Sequence, residues 1–479
     1  MTEPCDLAAV ELRRLIGTKA LSPVELLESC RKRIDSVNPT VNAITATCWG
    51  RAETEAKLAE ATAMAGEDLG LLHGLPLGVK DLNETEGLRT TWGSPIFKDH
   101  IPAKDERMVA ACRAEGAIVV GKTNVPEFGA GANTNNPVYG PTGNPFDPKR
   151  ICGGSSGGSA VALATSMLPI CTGSDTGGSL RIPAAFCGVV GFRPSPGLVA
   201  TERRPLGWSP LSVQGPMGRN VADTCLLLAA QVSSDSRDPF AGPVDRNDFL
   251  GLMPCDLAQL RVAVTEDFGF CPVDDRIRST FRQRIDRIRP VFKTCDQATP
   301  DMGRADESFE ILRAVQFLAG QKENYEKRRD QLGPNIIDNY EEGLRYSAAD
   351  VSWAHAEQTR IYRRVQTFFE DYDLILSPTV AVPHFPWTQR YADTINGKPT
   401  RTYFHWLALT YAMTLTGHPA ISVPSGLEPT GTPFGLQATG RAHGDRALLR
   451  AALALEAHFA GDRELARPLP NLKTLAKKP

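Results

Sequence analysis

Two glycine- and serine-rich stretches hold the residues of this 479-residue chain best suited to chemistry. Cys152-Gly-Gly-Ser155-Ser156-Gly-Gly158-Ser159 runs directly into the helical stretch Ala160 to Ser166, and Gly173-Ser174-Asp175-Thr176-Gly177-Gly178-Ser179 follows the next apolar strand. Glycine lets backbone N–H groups converge where side chains would intrude. Such a turn cradles an anion, either a bound phosphate or the oxyanion of an acyl-transfer transition state. A P-loop needs Lys and then Ser or Thr after its second glycine, and a dinucleotide fingerprint needs G-x-G-x-x-G after a strand; neither spacing is met. Gly153-Gly-Ser155-Ser-Gly157 formally matches the G-x-S-x-G elbow, in which Ser155 would need a later acid and then a histidine. His405 and His418 are the downstream candidates, although a histidine beside proline, as His418 is, also reads as a packed structural residue. A third grouping adds Lys80, at the end of the apolar run Leu75 to Val79. A strand-end lysine can reach solvent or a neighbouring carboxylate, but burial disfavours its charge and leaves an amine that can take a proton. A serine hydroxyl needs such an acceptor as it attacks. A second serine can donate to one neighbour while accepting from another, joining a base and a nucleophile that do not touch.

The elements that must position these residues follow from pattern and punctuation. Ser22-Pro-Val-Glu25 is a capping box with proline at the first helical position, and Val24, Leu27, Cys30 and Ile34 recur at helical spacing. Past Ala65-Gly-Glu-Asp68 the pattern changes to short apolar runs bounded by Gly and Pro. Strands are expected at Leu75 to Val79, Ala117 to Val120, Pro169 to Thr172, Val189 to Phe192, Leu260 to Val264, Leu374 to Leu376, Ala420 to Val423 and Phe434 to Ala438. Helices are expected at Arg107 to Ala114, Gly158 to Ser166, Asn220 to Val232, Asp274 to Ile288 and Asp445 to Phe459. This alternation predicts an α/β fold with a large sheet covered by helices on both faces. Residues 300–370 are charged and helical, an excursion from the sheet.

Composition sets bounds. Hydrophobic residues at 42%, charged at 23% and aromatic at 7% describe a globular chain and exclude disorder, collagen or coiled coil for the whole. Basic and acidic residues, 53 against 55, nearly cancel, so no electrostatic footprint for nucleic acid or anionic membrane is expected. The arginines of 276–289 lie opposite the apolar stripe Ile277, Phe281, Ile285 and Ile288 and read as a solvated face. No secretory leader is expected at Met1-Thr-Glu-Pro-Cys-Asp, and no apolar run reaches the ~18 to 20 residues of a membrane span. Eleven cysteines without a C-x-x-C pair read as reduced thiols of a cytoplasmic protein. No metal-ligand spacing is present, and neither metal nor cofactor is expected.

The stretch from Gly74-Leu-Pro-Leu-Gly-Val-Lys80-Asp81 through Gly121-Lys-Thr-Asn124, Gly153 to Ser159 and Gly173-Ser-Asp-Thr-Gly-Gly-Ser-Leu-Arg-Ile-Pro-Ala184 to Phe186-Cys-Gly-Val-Val-Gly191 closely resembles the amidase signature family. Pro419-Ala-Ile-Ser-Val-Pro424 and Phe434-Gly-Leu-Gln437 resemble that family's closing strands. The resemblance implies one amidase domain over residues 1–479, with a twisted mixed sheet. Residues 1–65 would be its N-terminal helical part, 66–230 its catalytic core, and 300–370 an excursion shaping the substrate pocket. It further implies Ser179 as nucleophile, Ser155 as bridging serine with a cis Gly154–Ser155 bond, and Lys80 as base. The backbone N–H groups of Thr176, Gly177, Gly178 and Ser179 would form the oxyanion hole, with Asp175 and Arg181 supporting the turn. Gly129, Ala130 and Gly131 would line the acyl pocket, and Phe317 and Tyr325 are further pocket candidates. The implied reaction is hydrolysis of a small-molecule carboxamide by a homodimer, as is common in the family. Two alternatives accompany it: the glutaminase component of a glutamyl-tRNA amidotransferase, from which residues 196–207 depart, and a non-catalytic binding or assembly protein that kept the fold.

Overall fold

Successive residues of the central strands enter different cores, and this sets the architecture. In the computed structural model, which describes residues 3–476, Val119 packs into one apolar cluster while Ile118 and Val120 pack into a second. Ile170 and Cys171 divide in the same way. Met1 and Thr2, on which the expectation about a leader partly rests, lie outside the described residues. Strands apolar on both faces must be covered on both.

Among the described residues the strands are β1 (Ile44–Thr47), β2 (Pro76–Lys80), β3 (Ile118–Thr123), β4 (Ile170–Asp175), β5 (Val190–Arg193), β6 (Val213–Gly218), β7 (Arg261–Val264), β8 (Thr294–Gln297), β9 (Leu374–Pro378), β10 (Thr394–Ile395), β11 (Lys398–Pro399), β12 (Ala420–Leu427) and β13 (Pro433–Thr439). β10 and β11 form a separate ribbon; the others make one sheet in the order β1-β3-β2-β4-β6-β5-β12-β13-β9-β7-β8. The sheet is mixed: β2 runs parallel to β3 and β4, β7 runs parallel to β8 and β9, and antiparallel pairs join these two groups.

The helices are α1 (Ala9–Gly17), α2 (Pro23–Val41), α3 (Trp49–Ala65), α4 (Arg107–Ala114), α5 (Gly157–Ala164), α6 (Arg181–Cys187), α7 (Val221–Gln231), α8 (Asp275–Ile288), α9 (Ala305–Arg328), α10 (Pro334–Gly343), α11 (Ala348–Asp371), α12 (Ala408–Thr416), α13 (Asp445–Ala460) and α14 (Leu472–Leu475). The capping box before α2 is formed, Ser22 Oγ accepting from Val24 N–H at 3.0 Å. α1, α4 and α7 supply the first core, whereas α5 and the Leu27, Ile34 and Val37 face of α2 supply the second. The charged segment 300–370 becomes α9, α10 and α11, the last two each packed on α9.

Each of the eight anticipated strands is present. Three sheet strands escaped the sequence reading for identifiable reasons. β6, Val-Gln-Gly-Pro-Met-Gly, carries two glycines and a proline, which depress strand propensity, yet it is held between β4 and β5. β1 and β8 are four-residue edge strands with one buried residue each, too short to show alternation.

Candidate active site

β2 and β4 are parallel neighbours, with Leu77 opposite Ile170, so both end at the same edge of the sheet. The carboxyl ends of such strands are where open α/β sheets place their ligands. Lys80 ends β2, Ser174 and Asp175 end β4, Ser155 lies just before α5, and Ser179 lies just before α6. Residues far apart in the chain therefore meet at one edge.

Lys80 is fully buried. Its Nζ donates to Ser155 Oγ at 2.8 Å, to Ser174 Oγ at 2.9 Å and to the Ser174 carbonyl at 3.3 Å. All three acceptors are neutral. Burial pulls the amine from 10.5 down to about 7, and Asp175 offsets only part of that effect. The Gly154–Ser155 peptide bond is cis. Ser155 has Lys80, and no histidine, as its side-chain partner among the described residues. His418 instead stacks on Phe369 and meets Gln366 at 3.2 Å, while His405 lies 3.3 Å from Asp306.

The turn 176–180 is braced from below. Asp175 accepts from the N–H groups of Gly178 (2.9 Å) and Leu180 (3.2 Å) and from both Nε (3.0 Å) and Nη2 (3.0 Å) of Arg181. Arg193 adds a contact at 3.2 Å and also bonds the Asp175 carbonyl at 2.7 Å. Burial would raise this carboxyl, but Arg181 and Arg193 outweigh it and hold it well below the usual carboxylate range. Arg181 continues the network to Gln437 Oε1 (2.7 Å) on β13 and to the Thr410 carbonyl (2.9 Å) on α12. Thr410 Oγ1 donates to the Gly177 carbonyl at 2.6 Å. Gly178 has φ +119°, and a Cβ there would run into the Thr410 side chain, so only glycine fits. The sequence reading singled out Asp175 and Arg181 but missed Ser174 as a lysine partner, Arg193, Thr410 and Gln437. The last three lie 14 to 258 residues beyond Ser179, and only the folded sheet brings them to the turn.

The four backbone donors of the turn are not equivalent. Those of Thr176, Gly177 and Ser179 donate to nothing among the described residues, whereas that of Gly178 is engaged by Asp175. Ser179 Oγ also makes no hydrogen bond there, and its residue opens onto a cavity of about 180 Å³. Gly129, Gly131, Thr176 and Gly177 line it together with Phe309, Arg313 and Phe317 of α9. Gly129 has φ +71°; a Cβ there would come 2.8 Å from Leu82 Cδ1 and 3.3 Å from Ser155 Oγ. Ala130 does not line this cavity. It faces a neighbouring one with Asn133, Asn335 and Trp387, and its carbonyl accepts from Asn335 at 2.7 Å. Tyr325 is also absent from the wall, stacked on Tyr340 with ring centres 4.1 Å apart.

Residues 25–449 match the family model described as Amidase. The chain is 33% identical over 456 residues to an acylamidase of Rhodococcus erythropolis, covering 94% of this chain and 95% of that protein. It is 34% identical over 495 residues to the A-type component of the glutamyl-tRNA(Gln) amidotransferase of Anaeromyxobacter dehalogenans, covering 98% of each. The crystal structure of a bacterial aryl acylamidase of the amidase signature family superposes with a TM-score of 0.86 at 27% identity, covering 94% of this chain and 96% of that one. The chain therefore belongs to the amidase signature family and is a hydrolase acting on amides.

Proposed function

We propose that the protein hydrolyses a carboxamide through an acyl-enzyme on Ser179, with Ser155 as proton relay and Lys80 as general base. Ser179 Oγ attacks the carbonyl carbon and passes its proton to Ser155 Oγ, as Ser155 passes its own to the neutral Lys80 amine. The oxyanion that forms takes hydrogen bonds from the free N–H groups of Thr176, Gly177 and Ser179, while Gly178, tied to Asp175, keeps the turn in shape. The relay then runs backwards and delivers the proton to the leaving nitrogen. Water repeats the sequence on the acyl-enzyme and releases the carboxylic acid. The observation that carries this reading is the Lys80 environment: a buried amine held near pKa 7, hydrogen-bonded to Ser155 and, among the described residues, contacted by no carboxylate.

A second reading is favoured by the likeness to the glutamyl-tRNA(Gln) amidotransferase component, in which glutamine would be the amide and ammonia the useful product. The purified chain, given a panel of carboxamides without partner or ATP, separates the two. Release of ammonia or amine is expected from the chain alone; activity confined to a complex with a tRNA-charging partner would favour the second reading. All eleven cysteines are free thiols, which supports the cytoplasmic expectation, and the homodimer rests on the resemblance alone.

A further inference from the structure

Resting on the amidase reading, the cavity beside Ser179 carries information about which amide it admits. Its apolar lining comes from Phe128, Phe309, Phe317 and Leu407, and its neutral polar lining includes Gln316 and Gln321. Among the described residues on its wall the one charged side chain is Arg313. Arg313 is 7% exposed. Its guanidinium lies over the Phe404 ring at 4.4 Å and the Phe317 ring at 4.8 Å, donates to Tyr403 Oη at 2.6 Å and also bonds Asn339 Oδ1. Those partners are neutral. Glu310, one turn earlier on α9, pairs through Oε2 with Arg401 at 2.7 Å, and among the described residues no carboxylate forms an ion pair with Arg313. Arg313 Nε makes no hydrogen bond among the described residues. A buried guanidinium without a carboxylate is costly unless a ligand supplies the charge, and its planar fork matches a carboxylate better than any other side chain does.

We propose that Arg313 receives a carboxylate carried by the substrate, so that the preferred amides are monoanions with an apolar body between the carboxylate and the scissile bond. Phe309 and Phe317 flank that body, and the carboxylate displaces water from the exposed edge of the guanidinium.

The test compares pairs that share a carbon skeleton and differ in the carboxylate, in the full-length protein. Glutaric acid mono-para-nitroanilide against pentanoic acid para-nitroanilide places the charge on the acyl side. para-Acetamidobenzoate against para-methylacetanilide places it on the amine side. The wild type is expected to favour the anion of one pair by about tenfold or more in kcat/KM, carried mainly by KM. Arg313→Gln should bring that ratio close to one, and Arg313→Lys should restore part of it. A merely structural role for Arg313 would lower both members of a pair together and leave the ratio unchanged, which would overturn the assignment. A wild-type ratio at or below one in both pairs would overturn it without any variant. Fluorophosphonate labelling of Ser179, run alongside, keeps the two readings apart. Labelling with no anion preference defeats the Arg313 assignment alone, whereas no labelling and no hydrolysis of any of the four defeats both.

Discussion

Lys80 and Lys122 stand on adjacent parallel strands, both fully buried, yet their surroundings differ. Lys122 is opposite Val79 and Lys80 opposite Thr123, so the two side chains leave the sheet on opposite faces. Lys122 Nζ bonds the Asn83 carbonyl and Thr85 Oγ1, and Asp81 and Glu106 oppose the downward pull of burial, leaving it at about 8. Lys80 faces two serine hydroxyls with only Asp175 to oppose burial, and it falls to about 7. The two values are close. On the proposed mechanism, burial alone thus does not make a catalytic base; what separates the residues is that one amine meets Ser155 and Ser174 and the other meets the loop that follows β2.

The largest effect should come from removing each amine in turn. Lys80→Met is expected to lower kcat/KM for any hydrolysed amide by about a thousandfold or more, since the relay loses its terminal acceptor. Lys122→Met should change it by about tenfold at most and act on stability instead, because the Asn83 carbonyl and Thr85 hydroxyl lose their buried charged donor and keep only the 3.2 Å bond between them, at a cost of about 2 to 3 kcal/mol, readable by urea unfolding. Equal losses of activity in the two variants would erase the distinction.

The stability of the Lys80 variant should also depend on pH. The folded value of Lys80 lies below its ordinary 10.5, so the unfolded chain binds the extra proton between about 7 and 10.5. The cost of burying Lys80 is absent above 10.5, grows as pH falls, and levels off below about 7. Lys80→Met removes that cost. Its melting temperature relative to wild type should therefore be highest at and below neutrality and should lose that advantage toward pH 10.5.

Two smaller changes sharpen the account of Lys80 and its turn. Wild-type kcat/KM should rise with pH through about 7 as Lys80 loses its proton. Ser174→Ala removes an acceptor that favours the ammonium, so the midpoint of that rise should move to lower pH. Thr410→Val removes the bond to the Gly177 carbonyl, worth about 1 kcal/mol, and a fall of about three- to tenfold in kcat with little change in KM is expected. An unchanged kcat would show that the Thr410 hydroxyl does not hold the turn.

Much of the Lys80 side of this comparison was readable before folding. The two Gly/Ser turns and the strand-end lysine are local features, and glycine clusters announce backbone geometry directly. Lys122 lay within a quoted motif, Gly121-Lys-Thr-Asn124, but its sequence neighbours give no sign of the loop residues it bonds, 37 and 39 positions earlier. Arg193, Thr410 and Gln437 were silent for the same reason, since a buried hydrogen-bond network has no sequence period. The pocket was the least legible part. Helical spacing placed residues 300–370 in helices, yet which face of α9 meets Ser179 depends on how those helices pack, and of the two aromatic candidates Phe317 reaches the cavity while Tyr325 does not.

The central claim is the relay from Ser179 through Ser155 to Lys80, and site-mapped fluorophosphonate labelling across pH tests it most directly. The label should be found by mass spectrometry on Ser179, with a rate that rises as pH passes through about 7, disappears in Lys80→Met and survives in Lys122→Met. Label on Ser155, or labelling of Lys80→Met at the wild-type rate, would contradict it.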